Sequence, residues 1–511
     1  MVQKKSGNKK KTLLIWVVIT IFTSMLLGAC STTDRDTTTE RPELELDYRS
    51  FEGTEIGVIT GVLTYLTTEK IGGIPVYYQD STSAMEDVRN ERIKGYMHAL
   101  SAVQVMASET QGFQAVPIPA EIFSAEIGAI SMNQDVIDAF NLFLESQVES
   151  GMLGDMQNRW FGDNFDANLA MPEIDNSGTE GSFTVAIAAD SIPYVFIGPG
   201  GQYSGFSIEL ALRFGAYFDK DIHFVDMAFG GLIPYIRSEK ADLGIANMAI
   251  TEERKESVLF TDPFFYEQHG VLVLSHDSYE TSPAQGENII LATLRKNLIT
   301  DQRWQLILSG LGVTLLISIC AMVLGTVWGS ILCYILSRRN KTAGQLARLY
   351  CNFIYGTPMV VLLLVIYYIV FRRTHLSGVT VAIIAFALMV GAPIAQNLKR
   401  SIDHVSSVEI QAARSLGFSQ TKTFLHITLP QAIGSALPGY SRSFIELVKS
   451  TAIVGFIAVQ DLTRAADLIR SRTFSPYFPL LFITAIYLII VAFFVTILNK
   501  AVKRVQKGVP E

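Results

Sequence analysis

The chain has 511 residues, room for several domains, and its 49% apolar content, 17% charged content and mean hydropathy of +0.31 point to a membrane protein carrying a soluble part. The net charge of −7 conceals a split: residues 294–511 carry 22 Lys/Arg against 7 Asp/Glu, whereas residues 30–293 carry 14 against 41. So acidic a soluble half argues against nucleic acid as a partner.

In chain order, Lys4, Lys5, Lys9, Lys10 and Lys11 precede an apolar run over residues 13–27, followed by Gly28-Ala29-Cys30. Basic, apolar and small residues in this order describe an export signal. Leu27-Gly28-Ala29-Cys30 resembles a bacterial lipobox, which implies lipidation of Cys30; a retained anchor helix with an incidental cysteine is the other reading. In either case the chain beyond residue 30 is exported. Residues 31–48 form a polar, Thr-rich spacer that cannot build a core. From Thr54 the pattern becomes α/β. Ile56-Gly57-Val58-Ile59 is a buried-strand run followed by Thr60-Gly61, and alternating elements continue to Pro119. Residues 135–159 read as helices ending in Trp160-Phe161-Gly162. A second polar linker spans 163–181. Strands are expected at 183–188, 222–225 and 241–246, with a helix at 207–217. Such alternation predicts mainly parallel sheets covered by helices.

The segment Asn247-Met248-Ala249-Ile250-Thr251-Glu252-Glu253-Arg254, with the Trp-Phe-Gly tail and the strand order, resembles the amino-acid-type solute-binding proteins of ABC importers. Relative to that family the order is changed. The family's second lobe comes first, with the tail helices of the first lobe, over 49–162. Its first lobe comes last, over 182–275. The resemblance implies one circularly permuted two-lobe domain; two independent half-domains are the alternative. Permutation is physically easy because chain ends often meet at the surface. The resemblance further implies that Arg254 clamps a ligand carboxylate, and that Phe229 and Tyr194 are aromatic walls. Asn247, Ala249, Gly61 and Thr60 also fall in the cleft. Departures accompany it: Ala249 replaces a hydroxyl, Ser191 a stacking aromatic, Ala188 an acid, and Ala99 the acid that holds the ligand's ammonium. A buried ammonium without a carboxylate is costly. The cleft then binds a ligand lacking that group, uses a substitute acid, or is degenerate.

Residues 276–303 read as a linker and an interfacial segment, and a membrane domain is expected over 304–505. Spans of about 20 apolar residues are expected at 308–336, 353–371, 379–396, 444–459 and 478–498. With the first half outside, the loops at 337–350 and 399–434 and the C-terminal tail face inward, and each carries four basic residues. Gln411-Ala412-Ala413-Arg414-Ser415-Leu416-Gly417, nine residues, then Ile427-Thr428-Leu429-Pro430 reads as two helical runs broken by Gly417 and closed by Leu-Pro. This spacing resembles the EAA loop of importer-type ABC permeases, which implies docking of a separate ATPase through Gln411, Ala412, Ala413, Gly417, Leu429 and Pro430. Gly356-Thr357-Pro358 resembles a further segment of that family. Arg442, Glu446 and Lys449 share one helical face, either as an ion-pair ladder or as a gate or subunit contact. Residues 461–472 read as an amphipathic helix on the outer membrane surface.

Three of the four cysteines (Cys320, Cys333, Cys351) lie in or beside apolar spans, so the soluble half has no disulfide framework. No Cys/His cluster has metal-ligand spacing and no GxxxxGK[ST] occurs, so ATP hydrolysis is expected on another chain and no cofactor on this one. No catalytic constellation stands out. The expected architecture is therefore an α/β two-lobe binding-protein-like domain followed by an all-α five-helix ABC importer domain. Its expected role is capture and translocation of an amino acid or related small carboxylate, with an ATPase and a second permease copy, most simply a homodimer. The rival expectation is a membrane receptor that senses its ligand without transporting it.

Overall fold

The computed structural model describes residues 47–162, 165–275, 289–338, 341–374 and 376–507; the expected export signal and Cys30 lie outside the described residues. The soluble half is built on two sheets. The first contains Glu55–Ile59 (β1), Ile74–Tyr78 (β2), Gly95–Ala99 (β3), Phe113–Pro117 (β4) and Ser124–Ile127 (β5). The second contains Ile130–Ser131 (β6), Ser182–Ile187 (β7), Asp221–Asp226 (β10), Leu243–Gly244 (β11) and Leu259–Phe260 (β12), with Phe196–Ile197 (β8) and Tyr203–Ser204 (β9) as a hairpin beside it. The pairings β1–β2, β1–β3, β7–β10 and β7–β11 are parallel and the other six among the described residues are antiparallel, so the sheets are mixed rather than mainly parallel as expected.

Residues 182–275 do not form one lobe, which corrects the expected boundary. Phe265–Leu274 (β13) leaves the β7 lobe and lies antiparallel between β3 and β4, with Leu272 opposite both Tyr96 and Ala115. Val271, Leu272 and Val273 are buried there, as a central strand covered on both faces requires. The chain thus crosses between the lobes twice, near residues 127–130 and 260–265, and β5 and β13 pair along the crossing.

The helices Thr64–Lys70 (α1), Ser81–Arg89 (α2) and Leu100–Glu109 (α3) cover the β1 lobe; Gln134–Glu149 (α4), Met152–Phe161 (α5) and Phe206–Tyr217 (α6) cover the β7 lobe. Helix α2 starts at Asp80, whose Oδ1 accepts from the Ser83 N–H at 2.9 Å, satisfying a backbone donor that the first turn leaves open. The Trp-Phe-Gly tail is fastened to α6. Glu209, fully buried, accepts from Trp160 Nε1 (2.7 Å), Arg159 Nη1 (2.6 Å) and Arg213 Nη2 (2.8 Å).

The membrane half comprises Trp304–Ser337 (α7), Lys341–Gly356 (α8), Met359–Val365 (α9), Gly378–Asp403 (α10), Ser407–Ser415 (α11), Leu429–Ser450 (α12), Leu462–Thr473 (α13) and Phe478–Lys507 (α14). Among the described residues, 3 helices are long and apolar enough to cross a membrane, and up to 5 spans result if each of two bent pairs counts once. Helices α7 and α10 make the central contact. A Cβ on Gly329 would lie 2.8 Å from the Gly391 carbonyl, so small residues set this close backbone approach.

Two expected spans are redrawn. The span at 353–371 is broken at Thr357-Pro358, where the chain bends by 113°. Pro358 has no N–H to continue α8 and disfavours helical geometry in the residue before it. The span at 444–459 is part of a longer helix that begins at Leu429, passes through a 3₁₀ turn (Thr451–Ile457) and then bends by 56° into α13.

Replacing Glu209 by Ala leaves two guanidinium groups and the Trp160 N–H without their shared acceptor. Thermal or denaturant unfolding should show a loss of about 3 kcal/mol, whereas unchanged stability would remove the tail latch.

Candidate ligand cleft, receptor–permease joint and coupling loop

A cavity of about 30 Å³ lies between the lobes, lined by Val62, Leu63, His98, Ala99, Ala125, Ile127, Phe229, Asn247, Ala249, Arg254, Glu267 and His269. That volume holds one or two waters at most, so anything larger enters only as the lobes separate. The crossing strands bring these residues together. Arg254 and Phe229 come from the β7 lobe, and Val62, His98 and Ala99 from the β1 lobe.

Arg254 is the bridge. Its Nη1 donates to the Ala249 carbonyl of its own lobe (2.8 Å) and its Nη2 to the Gly61 carbonyl of the other lobe (3.1 Å). The guanidinium lies 5.8 Å from the Phe229 ring centre, within cation–π range. Four expected cleft residues therefore converge on the cavity wall (Arg254, Phe229, Asn247, Ala249), and Gly61 joins them through its carbonyl. Tyr194 does not. It is fully buried one layer behind, in an aromatic cluster with Phe161, Phe206 and Phe265, and its hydroxyl donates to Glu267. Thr60 turns outward, its hydroxyl donating to the Tyr78 carbonyl at 3.1 Å.

Three polar residues of the wall were missed in the sequence. Glu267 accepts from Ser101 Oγ at 2.9 Å and from Tyr194, and burial raises its pKa to about 7. His269 pairs through Nδ1 with Thr67 Oγ1 (2.8 Å) and stacks on Phe123. Burial lowers His98 to about 4 and His269 to about 3, so both rings are neutral at physiological pH. The Nδ1 of His98 is buried without a hydrogen-bond partner. For two of them the one local signal was the Glu267-Gln268-His269 run in β13, which marks polarity but not what it faces.

The expected amphipathic helix at 461–472 is α13, and it is packed between the soluble half and helices α7 and α14, with Leu462, Arg464, Ala465, Leu468, Ile469 and Arg472 all buried. Its amphipathic pattern faces protein on more than one side. Arg464 donates from Nε and Nη2 to the two carboxylate oxygens of Asp226 (2.9 and 2.8 Å) and from Nη2 to the Met227 carbonyl (3.0 Å). Asp226 also accepts from the Ala189 N–H at 2.9 Å. The β1 lobe meets the same helix more loosely, through Arg470–Asp80 at 3.5 Å and Arg472–Glu109 at 3.9 Å. Around the joint, Tyr235 stacks on Tyr367 and Lys240 donates to the Phe371 carbonyl at 3.0 Å.

The coupling loop has the expected helix–turn–helix start. Gly417, at φ +89°, ends α11: its N–H donates to the Arg414 carbonyl (3.0 Å) and the Phe418 N–H to the Ala413 carbonyl (3.1 Å). This is a left-handed helix stop that glycine accepts without strain. Of the expected coupling residues, Gln411, Ala412 and Gly417 are exposed, Ala413 is buried, and Leu416 and Val408 stand out at 80% and 71% exposure. Leu429-Pro430 opens a helix rather than closing one, which corrects the expectation. The preceding turn, Phe424–Thr428, runs directly into α12, and a proline in a first turn leaves no donor unpaired. Glu409 accepts from Gln431 Nε2 at 2.5 Å, tying α11 to that turn. On α12, Arg442, Glu446 and Lys449 line an open groove of about 400 Å³ with Pro438, Ser441, Ile445 and Val495. No ladder forms: among the described residues none of the three is ion-paired.

Residues 321–507 match the family described as "Binding-protein-dependent transport system inner membrane component". "Probable amino-acid ABC transporter permease protein YckA" of Bacillus subtilis (strain 168) is 35% identical over 183 residues, 35% of this chain and 80% of that protein. The chain belongs to this family. It is therefore an integral membrane transport component, not an enzyme. "Probable glutamine ABC transporter permease protein GlnM" of the same organism is 30% identical over 211 residues, 41% of this chain and 98% of that protein. Among solved structures, "Crystal structure of an amino acid ABC transporter with histidines" is similar at 29% identity and a TM-score of 0.38, covering 43% of this chain and 100% of that one. The family match lies wholly within the membrane half, so the soluble half is what this chain adds to the family's permease region.

A double-mutant cycle of Asp226→Asn and Arg464→Gln, read by thermal unfolding of the full chain in lipid nanodiscs, should give a coupling of about 3 kcal/mol. Additive effects would mean that the pair does not hold the joint.

Proposed function

We propose that the chain is a subunit of an amino acid ABC importer that joins solute capture and translocation, with ATP hydrolysed by a separate partner. The observation that carries this reading is the buried joint at α13, which seats a two-lobe cleft directly on a permease of this family. Two relatives are named as amino-acid and glutamine permeases, which supports the substrate class. The soluble half is read as one circularly permuted domain, with residues 165–181 joining the tail helix α5 to β7 inside a single lobe.

In this reading the soluble half is extracytoplasmic, the loop at residues 407–430 and the C-terminal tail are cytoplasmic, and Cys30 anchors the N-terminus to lipid. Ligand enters between the parted lobes, Arg254 exchanges its two carbonyl partners for the ligand's carboxylate, and Phe229, Asn247 and Ala249 shape the rest of the site. The exposed apolar edge at Val408 and Leu416 meets the ATPase. A second copy of the chain completes the pathway, and the groove bearing Arg442, Glu446 and Lys449 faces it.

A second reading, ligand sensing without transport, is favoured by one observation: Arg254 is already held by carbonyls across the cleft. One substitution separates the two. With the ATPase partner in proteoliposomes, Leu416→Asp should abolish ligand-stimulated ATP hydrolysis and uptake while the ligand's Kd stays within about twofold. Wild-type protein that binds ligand but never takes it up or stimulates hydrolysis would establish the sensor. Arg254→Ala should weaken amino acid binding about 100-fold by calorimetry, because a charge-assisted pair is lost from a buried site. Unchanged affinity would remove Arg254 from the site.

A further inference from the structure

In the resembling family an acid at the position of Ala99 holds the ligand's ammonium group, and here that side chain is a methyl. Ala99 precedes α3 and offers its first turn no side-chain acceptor. The antiparallel register of β13 on β3 places His269 opposite Ala99, so Glu267, two residues further along β13, reaches the first turn of α3. There its Oε2 accepts from Ser101 Oγ at 2.9 Å, and the backbone N–H groups of Leu100 and Ser101 also favour its charged form. The carboxylate missing from β3 is thus supplied at nearly the same place by the neighbouring strand. Glu267 lines the same cavity as Arg254, is 3% exposed, and has no cationic partner among the described residues. A carboxylate offers about four lone-pair sites, and the two side-chain hydroxyls occupy one oxygen only.

We propose that Glu267 receives the ligand's ammonium group while Arg254 takes its carboxylate, so that the cleft selects zwitterionic α-amino acids over their 2-hydroxy analogues. This rests on the reading of the cleft as the ligand site. Burying an acid without a cation raises its pKa, and an arriving ammonium supplies that cation. Neutral His98, with its unpartnered Nδ1, lies beside it to meet a polar side chain.

Binding then carries a pH signature. Of the titratable groups around Glu267, His98 and His269 stay neutral above about pH 5 and Tyr194 stays protonated, its pKa raised by burial and by Glu267. Arg254 stays charged. Only Glu267, at about 7, changes charge between pH 6 and 8. An ammonium ligand binds the ionised form, so affinity rises with pH and levels off above 7, by about tenfold over this interval. The 2-hydroxy acids show no such rise.

The test uses the full chain in nanodiscs, with the twenty common L-amino acids and L-lactate as thermal-shift probes, followed by calorimetry on the amino acids that stabilise it. Glu267→Gln should weaken their binding about 30-fold and flatten the pH profile, whereas Arg254→Ala weakens it about 100-fold. If Arg254→Ala weakens binding but Glu267→Gln keeps both affinity and pH slope, the ammonium role is wrong and the cleft stands. Should no amino acid stabilise the wild type, or should affinity be unchanged by Arg254→Ala, the cleft reading itself fails. The pH profile of the unsubstituted chain keeps the test decisive if Glu267→Gln does not fold: a flat profile overturns the proposal.

Discussion

The pair Arg464–Asp226 is the constraint on which the arrangement of the two halves depends. Its side chains are 8% and 0% exposed, so both charges have left water. Such a pair gives little net stability, since desolvation offsets most of the attraction, but removing either partner strands a buried charge. Here every strong demand is met: both carboxylate oxygens accept, the guanidinium finds a third acceptor in Met227, and Asp461 caps the helix that carries Arg464 by accepting from the Arg464 N–H at 2.9 Å. Apolar burial around it supplies the adhesion, with Met227, Leu232, Tyr235 and Ile236 packed into one cluster with Leu462, Ala465 and Ile469. The ion pair fixes where that apolar surface sits. Adhesion is general, and register comes from the pair.

The two lobes rest on α13 unequally. The β7 lobe is held by the buried bidentate pair, whereas the β1 lobe touches through Arg470–Asp80 and Arg472–Glu109, longer contacts whose carboxylates are 29% and 33% exposed. Long, single-contact pairs of this kind hold less firmly than a buried bidentate one. The β1 lobe is thus the more loosely seated of the two. Asp80 is at once the cap of α2 and the partner of Arg470, so a motion of that lobe and its grip on α13 act through one side chain.

Much of this was legible in the sequence, and the exceptions share a cause. The helix–turn–helix at residues 407–430 and the alternation of strands and helices are local signals, and each led to the element it implied. Leu429-Pro430 was misread because proline marks a helix start as readily as a stop. The break at Thr357-Pro358 was not placed in the expected span at 353–371, although Pro358 does stand at the start of the helix that follows it. The protein partners of helix α13 were missed because an amphipathic stripe records that one face is buried without recording whether lipid or protein buries it. Arg464 and Asp226, separated by 238 positions, leave no trace in either neighbourhood. Glu267 was invisible for the same reason: its meaning depends on β13 lying beside β3, a pairing between residues at opposite ends of the soluble half.

The cleft holds together with so little space inside because Arg254 crosses it. Its guanidinium donates to two neutral carbonyls, and a carboxylate in their place would add the attraction of a full opposite charge. In the proposed reading a ligand carboxylate displaces the Gly61 and Ala249 carbonyls rather than water, and its gain is the difference between the two kinds of partner. The same substitution on the other side costs nothing comparable, because Glu267 has hydroxyl donors but no cation to give up. Gly61 adopts φ +84° with no atom within 4 Å of where a Cβ would stand, so its turn is set by backbone conformation rather than by crowding. Closure of the lobes is consequently stabilised by the chain's own groups at the carboxylate end and opposed by a buried acid at the ammonium end. If the proposed assignment holds, the acid is the end at which a zwitterionic ligand adds most to the closed state.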